Sequence, residues 1–513
     1  MKICLGSRSS DLARLQSHLV AQKLLESHSE LQIDFLFRES FGDKNLDLDL
    51  SKTGEKGVFT QDLKELLESK KCDALIHSWK DLPIEDCADS EIVATLDRAD
   101  PRDLLLFKKS SLGKRNPVFL SSSPRREFHV KKHLQDLLNF PTQSLQFKAI
   151  RGNIPTRFEK FLNDSEADAF IVAKAAWDRL LDALKKNLIE NPDLLNSFKY
   201  IQENCEFMVL PVKLFPPAPS QGALAIEIRK EDKALKEIFQ SINVSSVFSS
   251  VLEERKIMKQ RGGGCHSSLG VYHDTHPHYT LCVESGENDY CQNLESKTQE
   301  SPQEFSKHTV ISSREFFNES SLKRIPLQAP LQEVDSEKLY LISHYNESAA
   351  FLAKENLEKT KLWSSGLTTW KHLAKAGYWV SGSFESLGED FFKDSWSSLF
   401  SSECLSFKLS HIQSEKNYFD KKINLYEIQF SDNYFKSLDH EKYQTIYWQS
   451  ASQFSFLWKN HSEILKAKTH FSGAGKTHQE LKKHFKPSEL FIFNSYEDCL
   501  NSQKKAPMNK EES

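Results

Sequence analysis

Six arginines in the first half of the chain, Arg8, Arg125, Arg126, Arg151, Arg157 and Arg229, stand where short apolar runs give way to Ser, Gly or Pro. A guanidinium there is a clamp for carboxylate or phosphate. Its planar fork donates two parallel hydrogen bonds, and a helix starting at the turn adds its unsatisfied N–H groups. Any one of these arginines has a plainer use in a surface salt bridge. Taken as a set, they point to one crevice that collects anions.

The elements that must position them follow from local patterning. Ile3-Cys4-Leu5 leads into Gly6-Ser7-Arg8-Ser9-Ser10, and Leu12, Leu15 and Leu19 follow at helical spacing, which predicts strand, anion-binding turn and helix. Thr60 can cap a helix bearing Leu63, Leu66 and Leu67, after which the strand Ala74-Leu75-Ile76 runs into His77-Ser78-Trp79-Lys80-Asp81. The same order recurs at Val118-Phe119-Leu120 before Ser121 to Arg126, and at Phe147 to Ile150 before Arg151-Gly152-Asn153. Two α/β lobes facing a cleft would gather these strand ends.

Seven motifs stand in order: Gly6-Ser7-Arg8-Ser9-Ser10-Asp11-Leu12-Ala13, Lys52 to Phe59, His77 to Pro83, Ser122-Ser123-Pro124-Arg125-Arg126, Arg151 to Arg157, Gln221-Gly222-Ala223 and Gly262-Gly263-Gly264-Cys265. With them, residues 1–310 resemble the porphobilinogen deaminases, also called hydroxymethylbilane synthases. The resemblance implies a multidomain α/β chain of two periplasmic-binding-protein-like lobes and a small α/β cofactor-carrying domain. The boundaries expected are 1–98 with 200–222 for the first lobe, 99–199 for the second and 223–306 for the third domain.

The resemblance also implies chemistry. Cys265 would carry one covalent dipyrromethane per chain, assembled from substrate through a thioether and used as the primer for growth; three glycines before the thiol give a bulky adduct room. Asp81, beside Lys80, would be the catalytic carboxylate, assisting loss of ammonia from porphobilinogen and stabilising the positive charge that results. An aspartate before Leu82-Pro83 has a second reading as a turn or capping residue. Arg8, Ser10, Lys80, Ser123, Arg125, Arg126, Arg151, Arg157 and Arg179 would hold the acetate and propionate groups of cofactor and substrate, and Phe59 would be a lid aromatic. Four positions depart from the family pattern: Ser220 stands for a glycine, Ser267-Ser268 for a Val-Pro-like pair, and Phe41 for a basic residue.

Residues 307–505 carry a repeat of their own. Leu341-Ile342-Ser343-His344, then Gly366-Leu367-Thr368-Thr369, is echoed by Ile446 to Ser450, then Ala474-Gly475-Lys476-Thr477. This module resembles uroporphyrinogen-III synthase, with Tyr426 at the place of that family's inter-lobe tyrosine. It departs from the pattern at His344, Gln449 and Ala474. The resemblance implies two α/β lobes and cyclisation of the deaminase product, before a tail at 506–513. Gly475-Lys476-Thr477 is not a phosphate-binding loop, because His470 stands where its first glycine would be.

Bulk properties narrow the class. A net charge of −4 and 27% charged residues give no general attraction to nucleic acid, and no apolar run approaches the roughly 20 residues that span a bilayer. Met-Lys-Ile-Cys-Leu is not a secretory leader, and nine cysteines without a CxxC pair read as reduced thiols. His266, His273, His276 and His278 match no closed metal site. The expectation is a cytoplasmic monomer that takes porphobilinogen to a linear tetrapyrrole, with no metal, nucleic-acid or membrane partner. Two other readings stand beside it: a deaminase with a non-catalytic C-terminal module, and a non-enzymatic two-lobed anion-binding protein.

Overall fold

Leu104, Leu105, Leu106 and Phe107 are all fully buried, so the strand that holds them is covered on both faces, as strands inside an α/β layer are. The computed structural model describes residues 1–39, 61–85, 87–262, 267–275, 279–287, 290–296, 309–317, 321–329, 336–391, 395–493, 495–497 and 499–500.

The first ten strands are β1 (Lys2–Arg8), β2 (Gln32–Arg38), β3 (Ala74–Ser78), β4 (Ser90–Ala94), β5 (Asp103–Lys108), β6 (Val118–Leu120), β7 (Gln146–Lys148), β8 (Ala169–Ala173), β9 (Cys205–Val209) and β10 (Leu224–Arg229). They form two five-stranded sheets, β2-β1-β3-β10-β4 and β7-β6-β8-β5-β9. In the first, β10 runs antiparallel between β3 and β4; in the second, β5 runs antiparallel between β8 and β9. Each lobe thus accepts one strand that has just crossed from the other, and the links are residues 95–102 and 210–223.

This topology corrects the expected boundaries. Cys205–Val209, assigned to the first lobe, pairs with β5 in the second, and Leu224–Arg229, assigned to the third domain, lies inside the first. Both runs are apolar and buried, and such a pattern does not say which sheet a strand joins. The third domain is the helix Ser245–Gln260 against an antiparallel sheet of β11 (Gly270–Thr275), β12 (Tyr279–Ser285) and β13 (Tyr290–Ser296). Its Glu254 chelates Arg98 at 2.7 and 3.0 Å and accepts from the Ser220 and His273 amides, so it is pinned to both inter-lobe links.

The C-terminal half adds two more sheets. Strands β14 (Val310–Ser312), β15 (Leu322–Pro326), β16 (Glu337–Ile342), β17 (Thr360–Ser364), β18 (Val380–Ser383), β19 (Cys404–His411), β20 (Lys421–Phe430), β21 (Thr445–Trp448), β22 (Thr469–Ser472) and β23 (Leu490–Ile492) divide into β15-β20-β19-β16-β17-β18 and the all-parallel β14-β21-β22-β23. Each copy of the repeat occupies one sheet. This half shares its core with the second lobe: Leu339, Leu341, Trp363 and Phe400 cluster with Phe158, Trp177, Phe198 and Phe207. Trp370 donates to Leu137 O at 3.2 Å, Trp379 to Phe207 O at 2.8 Å and Trp177 to Ser398 O at 3.1 Å. None of the helices among the described residues is long and apolar enough to cross a membrane.

Two buried histidines, His129 and His470, and the half-buried His133 make the fold sensitive to acid. Burial pushes His129 down to about 3, with Arg125 adding to the effect, and pushes His133 and His470 down to about 4. His470 accepts from Trp448 Nε1 at 2.9 Å and sits 3.0 Å from Leu465 O, an arrangement that suits the neutral ring. The unfolded chain protonates these rings near 6.5 and the folded chain only near 3 to 4. The folded state therefore binds fewer protons between those values and loses stability as pH falls through that window. Urea midpoints should drop steadily between pH 6.5 and 4, and His129→Leu should flatten that slope; an unchanged slope would show that His129 is not a source of it.

Candidate active site

The first-lobe side of the cleft is built by neighbouring parallel strands. β1 ends at Arg8, and Ser10 stands at the N-cap of the helix Asp11–Ser27; β3 ends at Ser78 and enters a single 3₁₀ turn, Trp79–Asp81. Both turns leave the same edge of the sheet, where α/β proteins place their ligands. Trp79 is fully buried among Ala223, Ala225 and Val251 and anchors the turn, so Lys80 is half-buried and Asp81 exposed. A pocket of about 80 Å³ lies between the turns, lined by Arg8, Ser10, Gln16, His77, Ser78 and Asp81 among others. Gln16 donates to Ser78 Oγ at 2.9 Å and ties the two turns together.

The second-lobe side begins at Ser123, which caps the helix Pro124–His133 by accepting from the Arg126 amide. Arg125 and Arg126 both reach Asp103 at the start of β5, at 2.8 and 2.7 Å, and also donate to Pro216 O and Ile171 O. Burial alone would push the Asp103 carboxyl up; the two guanidiniums outweigh it and hold that carboxyl far below the usual range. Gln221 completes the bridge between lobes, donating to Asp103 Oδ1 at 3.0 Å and accepting from Lys80 Nζ at 3.2 Å. Burial lowers the Lys80 amine; Asp81 and Asp103 oppose this, and Arg126 and Arg125 reinforce it.

Arg157 lies in the first turn of the helix Ile154–Asn163, capped by Asn153, and donates to Gly152 O at 2.7 Å. Burial pushes it down to about 10; Arg126 acts in the same direction and Asp81 against it, so it feels charges on both sides of the cleft. Arg179 donates to Gly222 O at 2.8 Å, and burial pushes it to about 10 as well. Arg151 is exposed and lines a separate pocket of about 480 Å³ with Lys148, Thr156 and Lys160. Arg229 stands apart from the cleft: it holds Leu67 O and Cys72 O at 2.8 Å and pairs with Asp232 at 2.7 Å, closing the chain after the helix Gln61–Glu68. Phe59, the Lys52–Phe59 motif, Phe41 and Cys265 lie outside the described residues.

Sequence reasoning missed Asp103 and the bridging role of Gln221. The signal for Asp103 was available, since a carboxylate immediately before four buried apolar residues must find a cationic partner. At Gly222, φ is +90° and a Cβ would come within 2.3 Å of Ala99 O, so glycine lets the two inter-lobe links pass in contact. Ser220, standing for a glycine, holds the left-handed conformation with φ 69°.

Two α/β lobes on paired links bring Lys80, Arg125, Arg126 and Arg157 together with Asp81 and Asp103, a constellation of cations whose chemistry suits acid side chains. A family model described as porphobilinogen deaminase, dipyromethane cofactor binding domain, matches residues 3–237, and the porphobilinogen deaminase of Caldicellulosiruptor saccharolyticus is 34% identical over 275 residues, covering 53% of this chain and 84% of that protein. The chain belongs to the porphobilinogen deaminase family. Porphobilinogen deaminases of Natranaerobius thermophilus, 31% identical over 277 residues, and Lawsonia intracellularis, 32% over 286, cover 53% and 55% of this chain and 79% and 83% of their own lengths. Among solved structures, a methionine binding protein is 12% identical, covers 50% of this chain and 95% of its own, and has a TM-score of 0.28.

The N-terminal half is accordingly a hydroxymethylbilane synthase, an enzyme that takes porphobilinogen to a linear tetrapyrrole on a dipyrromethane cofactor. The cleft fits that group. Each of its two pyrroles brings an acetate and a propionate, while among the described residues of the cleft Arg8, Lys80, Arg126, Arg157 and Arg179 outnumber Asp81 and Asp103, and the described hydrogen-bond partners of Arg157 and Arg179 are backbone carbonyls.

Proposed function

We propose that Asp81 and Lys80 perform the condensation of porphobilinogen on a primer held by Cys265, and that the C-terminal module then closes the product to uroporphyrinogen III. The observation that carries the first part is the bridge Lys80–Gln221–Asp103, which joins the catalytic turn of one lobe to the arginine pair of the other. A bound dipyrromethane would supply the free pyrrole carbon to which the first new ring is joined, each later ring then joining the end of the growing chain. The Asp81 carboxylate accepts a pyrrole N–H and opposes the positive charge that builds as ammonia leaves. Arg8, Ser10 and Ser123 with Arg126, Arg151, Arg157 and Arg179 hold the acid side chains, and Arg125 acts through Asp103 to set the position of Arg126.

The second part is supported by the two-lobed form of the C-terminal half and by Tyr426. Its hydroxyl is buried with no hydrogen-bond partner among the described residues, and the rings of His411 and His344 lie 5.7 and 6.5 Å from its own. Incubation with porphobilinogen followed by separation of the uroporphyrinogen isomers tests it. The type III isomer should predominate and give way to type I in Tyr426→Phe or in a chain with a disrupted module. Type I alone from the intact chain would remove cyclisation and leave the deaminase standing.

A further inference from the structure

Both links between the deaminase lobes are held by one stretch of the C-terminal module. Glu385 accepts from the amides of Val212 and Lys213 with its two oxygens, at 2.9 and 3.0 Å. Arg102, on the other link, donates to Ser383 O at 3.1 Å and to Ser395 Oγ at 2.8 Å, and Ser395 donates in turn to Asp100 at 2.8 Å. Arg102, Ser383, Glu385 and Ser395 are buried, so these bonds do not compete with water.

The stretch is shaped for this contact. Glu385 and Ser386 both have left-handed backbones, with φ 54° and 61°, a conformation that non-glycine residues keep only where the surroundings impose it. Its far side meets the other C-terminal lobe, where Glu389 pairs with Lys476 at 3.1 Å and Leu387 and Phe391 share a cluster with Ala474 and Ile492; the same cluster includes Val212 of the link and Tyr272 of the third domain, and Glu389 also pairs at 2.8 Å with Lys408 of its own sheet.

We propose that residues 383–391 with Ser395 form a brace through which the C-terminal module sets the opening of the deaminase lobes, with Glu385 as a positioning residue for the deaminase reaction. The product lengthens by one pyrrole per cycle inside the cleft, so the lobes must adjust. The lobes are covalently joined only through links 95–102 and 210–223, and a buried grip on both limits how far they turn. This function is independent of whether the module cyclises anything.

Hydrogen exchange read by mass spectrometry on the full chain tests the brace. Glu385→Gln keeps the size of the side chain but leaves one amide without its acceptor. Peptides covering 95–102 and 210–223 should then exchange about ten- to a hundredfold faster, with peptides of β6 and β8 unchanged. The kcat for porphobilinogen consumption should fall about fivefold with KM moving less, and Glu385→Asp, which keeps two oxygens, should recover part of the loss. Faster exchange spread evenly over the second lobe and the C-terminal module would reduce Glu385 to a general staple and overturn the proposal, as would unchanged exchange and rate. If Glu385→Gln does not fold, Ser395→Ala puts the same question to the 95–102 link, and an unchanged link there also overturns it.

Discussion

Asp81→Asn is expected to lower porphobilinogen consumption by about a thousandfold while leaving the urea midpoint unchanged. The side chain is exposed at the end of a turn whose stability comes from Trp79 beneath it, so the fold does not depend on the carboxylate. The amide keeps the shape and loses the charge. What disappears is the field that opposes positive charge on the pyrrole, and preorganised charge of this kind contributes about two to three orders of magnitude to a rate. Steady-state rates beside urea denaturation check it: near-normal turnover would remove Asp81 from the reaction, and a large loss of stability would favour the turn-capping reading.

Asp103→Asn should have the largest effect on stability. Asp103 is 1% exposed and is the shared counter-charge of Arg125 and Arg126, so the substitution leaves two guanidiniums facing a neutral amide in a site closed to water. Breaking a buried ion pair from one side costs about 3–5 kcal/mol, against a total stability of about 5–15 kcal/mol for a typical domain. The urea midpoint should fall accordingly, and activity with it, because one neutral amide oxygen must then serve Arg125, Arg126 and Gln221, whose own oxygen accepts from Lys80. A loss below about 1 kcal/mol would mean that the arginines are satisfied by their carbonyl contacts alone.

What could be read from the sequence was what is local. Arg8, Ser10, Lys80, Asp81 and the capped helix after Ser123 all lie at strand-to-helix turns whose type is set by a few neighbouring residues, and the structure places them at such turns. The C-terminal repeat was legible for the same reason. Partners distant in sequence were not: Gln221 and Asp103 are 118 residues apart, and Glu385 and Val212 are 173 apart, so no window of sequence holds both. The misassignment of β9 and β10 has a related cause, since a strand buried on both faces carries no alternation to mark its sheet. Arg229 shows the limit of reading residue type, for a guanidinium that clamps two carbonyls has the same sequence signature as one that clamps a ligand.

On the reading proposed above, the N-terminal half builds its product on a dipyrromethane carried by Cys265. The intact mass of the purified full chain, beside that of Cys265→Ser, tests this most directly. The wild-type chain should be heavier than its polypeptide by one dipyrromethane, porphobilinogen should add further single pyrrole units, and Cys265→Ser should have the bare polypeptide mass and no turnover. A wild-type chain at the bare mass that still consumes porphobilinogen, or an adduct that survives in Cys265→Ser, would contradict it.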